Sequence, residues 1–501
     1  MAKKIHKTKK TPLFKNVGFY FILLYALLTL GMIVQVFTVN VIPMKYAMIV
    51  CVILLLLLLG MYYLQLGKKV NKVNKVLGKI LIIILAVFLG VGNWYLFKTG
   101  SAFSRMTGDD TQTSVISVVV MKESKAESIE DLKNSKFGLT KTGSQDTMEK
   151  GLADIKKDAG QDITTVDYKS YKTIADDLYD GKIDAIIMDE ATRSLFEDNH
   201  SKFDSETRIV KSYKYKTSTK DISKNVDVTS EPFNVYITGI DTYGTISTVS
   251  RSDVNMIATV NPKTHQVLLT SIPRDYYVPQ PCQGGQTDKL THTGIFGVDC
   301  TVETVENYFG IDINYYVRVN FSSVENIVDA LGGINVDSPI AFNALGYSFS
   351  AGTNSLNGKE ALAFSRERYS LGGGDRDRGK NQMRVITGII NKAISPSIIT
   401  NYTSILDAVS GSFQTNMSNS EMTSLIKMQI NDMSGWDIEQ ISVNGTGNAS
   451  AWSPANGFNS WVMEPNVETV KRAVEVMKKV ENGEDVKALA QQVMEENTAD
   501  E

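Results

Sequence analysis

Six arginines and three aspartates recur in short clusters across the second half of the chain. Arg251 and Asp253 stand in Ser-Arg-Ser-Asp, and Arg274 in Ile-Pro-Arg-Asp. Arg366 and Arg368 stand in Ser-Arg-Glu-Arg, and Asp375, Arg376 and Arg378 follow three glycines. Asp241 comes directly after the apolar run 235–240. Guanidinium forks suit a phosphorylated ligand. Carboxylates beside them suit a hard divalent cation held by one or two acids and by phosphate oxygens.

Each charged group lies at or beside the end of an apolar run. In open α/β sheets, ligands bind outside the carboxyl ends of strands. Asp241 and Arg274 follow the strand-like runs 235–240 and 266–272. Arg251 and Asp253 precede the run 255–260, so a loop folded over that edge is expected to carry them. Arg366 and Arg368 are two apart and would share a face of an extended strand. At ~6 Å their charges repel by roughly 3 kcal/mol at an effective dielectric near 20. Held together in a cleft, they need an anion. A helix opening at Asp375 places Arg378 and Gln382 on one face, with a helix N-terminus favouring phosphate.

Other chemistries find less support. The chain has no phosphate-binding Gly-x-x-x-x-Gly-Lys-Ser/Thr loop and no Gly-x-Ser-x-Gly elbow. Its four histidines, His6, His200, His265 and His292, lack metal-ligand spacing. A hydrolytic triad built on His292 has no other support.

Three uncharged apolar runs, 17–38, 46–67 and 80–97, precede these motifs. Each approaches the ~20 residues that a helix needs to cross a bilayer. The first hundred residues hold thirteen lysines and no acid, so residues 101–501 carry 39 basic against 55 acidic side chains, a net charge of −16. That balance argues against nucleic acid as a partner. Six lysines precede the first run and five lie between the second and third, but only Lys45 lies between the first and second. The lysine bias therefore predicts a multi-pass cell-membrane protein, with residues 1–16 as a cytoplasmic tail and the C-terminal domains extracellular.

Residues 98–112 read as a linker. The segment 113–225 reads as a small α/β accessory domain with a mainly parallel sheet, including a short helix at 128–135. It resembles one lobe of a solute-binding protein at 128–133, at Thr142-Gly143-Ser144 and at 180–189. A second α/β pattern runs through 232–480. In it Arg366 is expected on a strand, and helices at 301–309 and 324–331 are candidate walls for a ligand. An acidic tail, 481–501, ends the chain. Cys282 and Cys300 flank a short loop and form a disulfide candidate worth roughly 3 kcal/mol on the chain-entropy account.

The ordered motifs Tyr-Ile-Thr-Gly-Ile-Asp (236–241), Ser-Arg-Ser-Asp-Val-Asn-Met-Ile (250–257) and Leu-Thr-Ser-Ile-Pro-Arg-Asp (269–275) resemble the LytR-CpsA-Psr family. So do Asp-Lys-Leu-Thr-His (288–292), the stretches 329–337 and 356–368, and the pattern Asp375, Arg378, Gln382. Three spans with an accessory domain resemble its streptococcal capsule-type members. The resemblance implies an α/β, αβα sandwich-like domain with a central mixed sheet and a hydrophobic tunnel for a polyprenyl-pyrophosphate lipid. It implies a Mg²⁺ (or Mn²⁺) dependent phosphotransferase that attaches a glycopolymer to peptidoglycan, with pyrophosphatase as a side activity. Capsule-synthesis proteins are implied partners. Asp241 and Asp253 match the metal-associated acids. Arg251, Arg274, Lys289, Arg366, Arg368, Arg378 and Gln382 match the pyrophosphate set. Arg274, Arg366, Arg368 and Asp253 are the expected catalytic centre, and Asp253 and Asp375 are the candidate bases. Asn381 departs from the pattern, since many members carry arginine there. The rival readings are a non-catalytic receptor that only holds carrier lipid, and a scaffold of capsule assembly.

Overall fold

The computed structural model describes residues 16–106, 111–140, 144–240, 246–395 and 410–499, together with Ile405 and Ala408. Asp241, Thr142 and Gly143 therefore lie outside the described residues. The chain divides into two units, one of residues 1–104 with 419–433, the other of 105–418 with 434–501.

The first unit contains three long apolar helices, Val17–Val39, Met44–Leu66 and Lys72–Met106, each long and apolar enough to cross a membrane. Their outward faces carry bare apolar side chains such as Leu56 and Phe88. Polar groups tie the helices together, because a carbonyl in hydrocarbon needs no water if a neighbour donates to it. Asn93 Nδ2 donates to the Leu28 carbonyl at 3.1 Å, and Gln65 Nε2 to that of Lys75 at 2.9 Å. The third helix starts earlier and ends later than the run 80–97 indicates, so residues 98–106 are helix and not linker.

Among the described residues the second unit holds two large sheets and four two-stranded ones. The accessory sheet has the strand order Thr164–Tyr168, Lys136–Thr140, Ala185–Asp189, Thr111–Met121, Thr207–Ser218. Its first two pairings are parallel and its last two antiparallel, so it is mixed, not mainly parallel. The expected helix at 128–135 is a single 3-10 turn, Glu130–Leu132, where Ser128 and the backbone compete for the Asp131 carboxylate.

The larger sheet has six strands in the order Gln414–Thr415, Tyr315–Val319, Phe233–Ile240, Ser252–Asn261, Gln266–Ser271, Asp437–Ser442. Alternation along the strands splits its faces. Tyr236, Ile257 and Leu268 pack under the helices Val298–Phe309 and Val467–Glu481. Met256, Ala258 and Leu269 pack against Met383 of the helix Asp375–Ala393. The result is an α/β/α layering around a mixed sheet. The supposed acidic tail belongs to it: Ala490 and Val493 of the helix Lys487–Ala499 are buried in the main core.

The two sheets are joined by backbone and core. Thr113 N donates to the Ser247 carbonyl at 2.8 Å, and Val249 N returns to Thr113 at 3.0 Å. Val249, Ile295 and Ala455 complete a buried cluster with Tyr171, Phe196 and Phe203 of the accessory domain. Cys282 and Cys300 are joined in a disulfide with a Cα–Cα distance of 5.4 Å, tying the segment after Tyr277–Gln280 to the helix Val298–Phe309.

Candidate active site

One edge of the larger sheet gathers the charged residues. The strands Tyr315–Val319, Phe233–Ile240, Gln266–Ser271 and Asp437–Ser442 all end there, and the antiparallel strand Ser252–Asn261 begins there. Asp253 is thus inside a strand, not on a loop before it, and the ladder to Gly239 and Ile240 buries it. Arg274 follows Gln266–Ser271 as expected. Arg366 is not on a strand. It closes the helix Gly358–Arg366, which Asn357 and Glu360 start with a reciprocal capping box. Arg368 follows in the extended turn beyond.

At the centre, Arg274 Nη1 meets Asp253 Oδ1 at 2.9 Å, and Thr291 Oγ1 donates to the same oxygen at 2.8 Å. Arg378 reaches Asp375 at 2.7 Å and the Asp253 carbonyl at 3.4 Å. Arg368 lies 3.8 Å from Asp375, and Lys289 lies 3.4 Å from Asp275. The Arg366 guanidinium stacks 4.1 Å over the Phe321 ring, which holds it in place. Gly379 lets the helix Asp375–Ala393 approach the sheet, since a Cβ there would come within 2.6 Å of Ser271 Oγ. Thr291 was the partner that spacing alone did not single out. Its only signal was its place in the Asp-Lys-Leu-Thr-His motif.

Burial pushes the Asp253 carboxyl up, but Arg274, Arg251 and Arg378 outweigh it and hold the group well below the usual carboxylate range. Burial pushes the Arg378 guanidinium down, against the pull of Asp375. Asp253 Oδ2, Arg274 Nε and Arg378 Nε are buried without a hydrogen-bond partner among the described residues. Each such atom costs about 1–3 kcal/mol if left so. One acceptor beside two cationic donors fits a bound cation and an anion together.

The depressed Asp253 carboxyl has a consequence for stability. Its contribution is complete above its unfolded value, about pH 4, and is lost progressively as pH falls from there through the lower folded value. Asp253→Asn should therefore flatten the acid limb of stability against pH, read by calorimetric unfolding between pH 2 and 6. An unchanged acid limb would refute the pairing.

Next to the clamp lies an apolar cavity of about 410 Å³. Ile237, Val254, Val317 and Val319 floor it from the sheet, and Phe321, Val324 and Ile327 wall it from the helix Phe321–Ala330. Of the two wall helices expected from sequence, only this one serves. The helix Val298–Phe309 packs into the core on the other side of the sheet. The helix Asp375–Ala393 supplies one continuous stripe: Arg378 and Gln382, then Val385, Ile386 and Ile389. From Arg378 to Ile389 that stripe runs about 16 Å at 1.5 Å per residue. Charge at one end and hydrocarbon at the other describe an amphiphile.

Arg251 stands beside this centre, near enough to lower the Asp253 carboxyl, and pairs with Asp198 of the accessory domain at 3.3 Å. Asn381 does not line the clamp. Its amide donates to the Phe364 carbonyl at 3.3 Å and its oxygen accepts from Arg384 at 2.7 Å. His292 is fully buried on Asp288, whose carboxylate also takes Ser453 Oγ and the Ala455 amide. That network pins a hairpin and exposes no nucleophile, so no hydrolytic triad forms on His292.

An α/β/α layer with a charged sheet-edge clamp opening on an apolar tunnel is the architecture of a protein that holds an amphiphilic phosphate. The chain belongs to the LytR_cpsA_psr family, whose profile matches residues 199–478. A DNA polymerase processivity factor profile matches residues 68–188. That stretch spans the third apolar helix and part of the accessory sheet, in two separate units, and it assigns nothing. The polyisoprenyl-teichoic acid–peptidoglycan teichoic acid transferase TagU of Enterococcus faecalis is 40% identical over 238 residues, 46% of this chain and 77% of that protein. TagU of Bacillus subtilis is 41% identical over 205 residues, 41% of this chain and 65% of that protein. Among solved structures, B. subtilis TagU overlaps 50% of this chain and 96% of its own at 34% identity, with a TM-score of 0.39. TagT bound to LIIa-WTA overlaps 52% and 94% at 28% identity, with a TM-score of 0.42.

Proposed function

We propose that this protein transfers a glycopolymer phosphate from a polyprenyl-pyrophosphate carrier to peptidoglycan at the outer face of the membrane. The observation that carries this is the apolar cavity ending on the buried Arg274–Asp253 and Arg378 clamp. Membership of a family that includes TagU teichoic acid transferases supports it. The tail of the carrier lies along the stripe of the helix Asp375–Ala393, and its two phosphates meet the guanidiniums. An acceptor sugar hydroxyl attacks the phosphorus that bears the glycopolymer. The new P–O bond forms as the bond to polyprenyl phosphate breaks, and polyprenyl phosphate leaves. Arg274, Arg368 and Arg378 stabilise the negative charge on the phosphoryl oxygens, where positioned charge does most of the work.

Mg²⁺ (or Mn²⁺) would be held by the orphaned Asp253 oxygen, and Asp241, which lies outside the described residues, is the second acid that the family motif implies. Bound there, it would neutralise charge on the diphosphate. A carboxyl held as low as that of Asp253 is a poor proton acceptor. It therefore anchors charge, and Asp375 is left as the candidate base.

The lysine bias supports a cytoplasmic N-terminus. Within the first unit, Lys427 Nζ reaches Asn40 Oδ1 at 2.6 Å. This supports placing the turn after the first span on the side that carries residues 419–432. The three apolar helices and accessory domain support a place near the capsule-type members, with capsular polysaccharide or a teichoic-acid-like chain as cargo. The test is full-length protein in detergent with a pyrophosphate-linked donor, peptidoglycan and Mg²⁺. Release of polyprenyl phosphate with polymer joined to peptidoglycan, abolished by a chelator, is expected. Tight donor binding without turnover would instead favour the receptor reading.

A further inference from the structure

Beyond the clamp, on the far side of Arg274 from the apolar tunnel, a second cavity of about 320 Å³ opens. Its character is the reverse of the tunnel's. Asp198, Arg251, Asp275 and Lys289 face it with charge, and Asn456 and Ser460 with amide and hydroxyl. Trp461 presents an aromatic wall and is 45% exposed. Arg274 lines both this cavity and the clamp, so the two adjoin.

Three polar atoms in this lining are buried and unpartnered among the described residues: Asn456 Nδ2, Asn456 Oδ1 and Ser460 Oγ. Asn456 itself is only 1% exposed. A donor and an acceptor on one buried amide, with a hydroxyl nearby, match a ligand rich in hydroxyl and amide groups. An exposed indole beside them gives the apolar face of a pyranose ring a surface to cover. An anion would be served by the cations alone and would leave the Asn456 acceptor unsatisfied.

The accessory domain helps to build this cavity. Asp198 enters it on Arg251 at 3.3 Å. The loop that presents Asn456 is pressed against the accessory domain. The Tyr171 amide donates to the Asn456 carbonyl at 3.4 Å. Gly457, at φ +73, passes so close that a Cβ would come within 2.1 Å of the Lys169 carbonyl.

We infer that this cavity is a saccharide subsite, built jointly by the accessory domain and the hairpin strands Gly445–Ser453 and Phe458–Pro465, that holds a sugar next to the reacting phosphate. It rests on the phosphotransferase reading, since it takes the sugar from either the donor glycopolymer or the peptidoglycan acceptor. Trp461 and Asn456 act there as specificity determinants.

The experiment uses full-length protein in detergent and two lipids: farnesyl diphosphate, which has no sugar, and a farnesyl diphosphate-linked N-acetylhexosamine disaccharide. Calorimetric binding of each is measured for wild type, Trp461→Ala and Trp461→Phe, and acceptor KM is measured with peptidoglycan fragments. If the sugar is the donor's, Trp461→Ala weakens the disaccharide lipid about tenfold and leaves farnesyl diphosphate unchanged. If it is the acceptor's, both lipids bind as in wild type and acceptor KM rises by a similar factor. In either case Trp461→Phe retains most of the wild-type value, because the ring face is kept. Equal weakening of both lipids, or no change in any of the three measurements, overturns the subsite. Loss of turnover in the wild type with the binding difference intact would count against the phosphotransferase reading and not against the subsite.

Discussion

Arg274→Ala should lower the rate of phosphoryl transfer by about 10²–10⁵, from the loss of one preorganised donor at the low end to that of a charge-stabilising arginine at the high end. Arg274 sits where the clamp and the outer polar cavity meet. It is also the residue that neutralises Asp253 at 2.9 Å. Stripping one partner from a buried pair costs about 3–5 kcal/mol, so the variant should melt earlier as well. Two further variants separate the effects. Arg274→Lys keeps the charge but not the planar fork, and should recover stability more fully than rate. Arg368→Ala removes a side chain that is 32% exposed and only 3.8 Å from Asp375 at its nearest. It should lose rate with little change in melting. Rates come from single-turnover release of polyprenyl phosphate, and stability from calorimetry. A folded Arg274→Ala protein that works within a few-fold of wild type would remove Arg274 from the chemistry.

Much of this site was legible because its residues lie at strand ends, and strand ends are marked by where apolar runs stop. Asp253 and Arg274 could be brought to one edge on that basis. Arg366 could not, because Gly358–Arg366 ends as a helix. The short run Ala361–Phe364 fits either state by pattern, and the Asn357–Glu360 capping box decides it. The tunnel was harder. Val254, Val317 and Ile386 are ordinary core residues by type, and only the space between layers shows which of them face a void. The C-terminal segment is acidic yet amphipathic in sequence, and Ala490 and Val493 on its apolar face dock it to the core. Arg251, placed in the phosphate set by its motif, also pairs with Asp198 of the accessory domain. No local pattern encodes a contact 53 residues apart.

Tryptophan in the tunnel should shorten the lipid that the protein accepts, by an amount set by how far the substitution lies from the clamp. Ile386 is one turn beyond Gln382 and Ile389 nearly two, on the face that lines the cavity. At 1.5 Å per residue these positions are roughly 6 and 10 Å below the clamp. In a packed core, an added ring costs about 1–3 kcal/mol through strain. Here it enters space that is already open, so Ile389→Trp should melt no earlier than wild type. The effect should fall on the ligand instead. Ile386→Trp should abolish turnover of every prenyl donor. Ile389→Trp should still bind farnesyl diphosphate while losing full-length polyprenyl donors by about 10²-fold, near 2.7 kcal/mol of lost burial, or about 100 Å² of apolar surface at 25 cal/mol per Å². Calorimetric binding of the two lipids by each variant measures this. If both variants take full-length donor with wild-type affinity, the carrier tail lies elsewhere, and the cavity beside the arginines is not its tunnel.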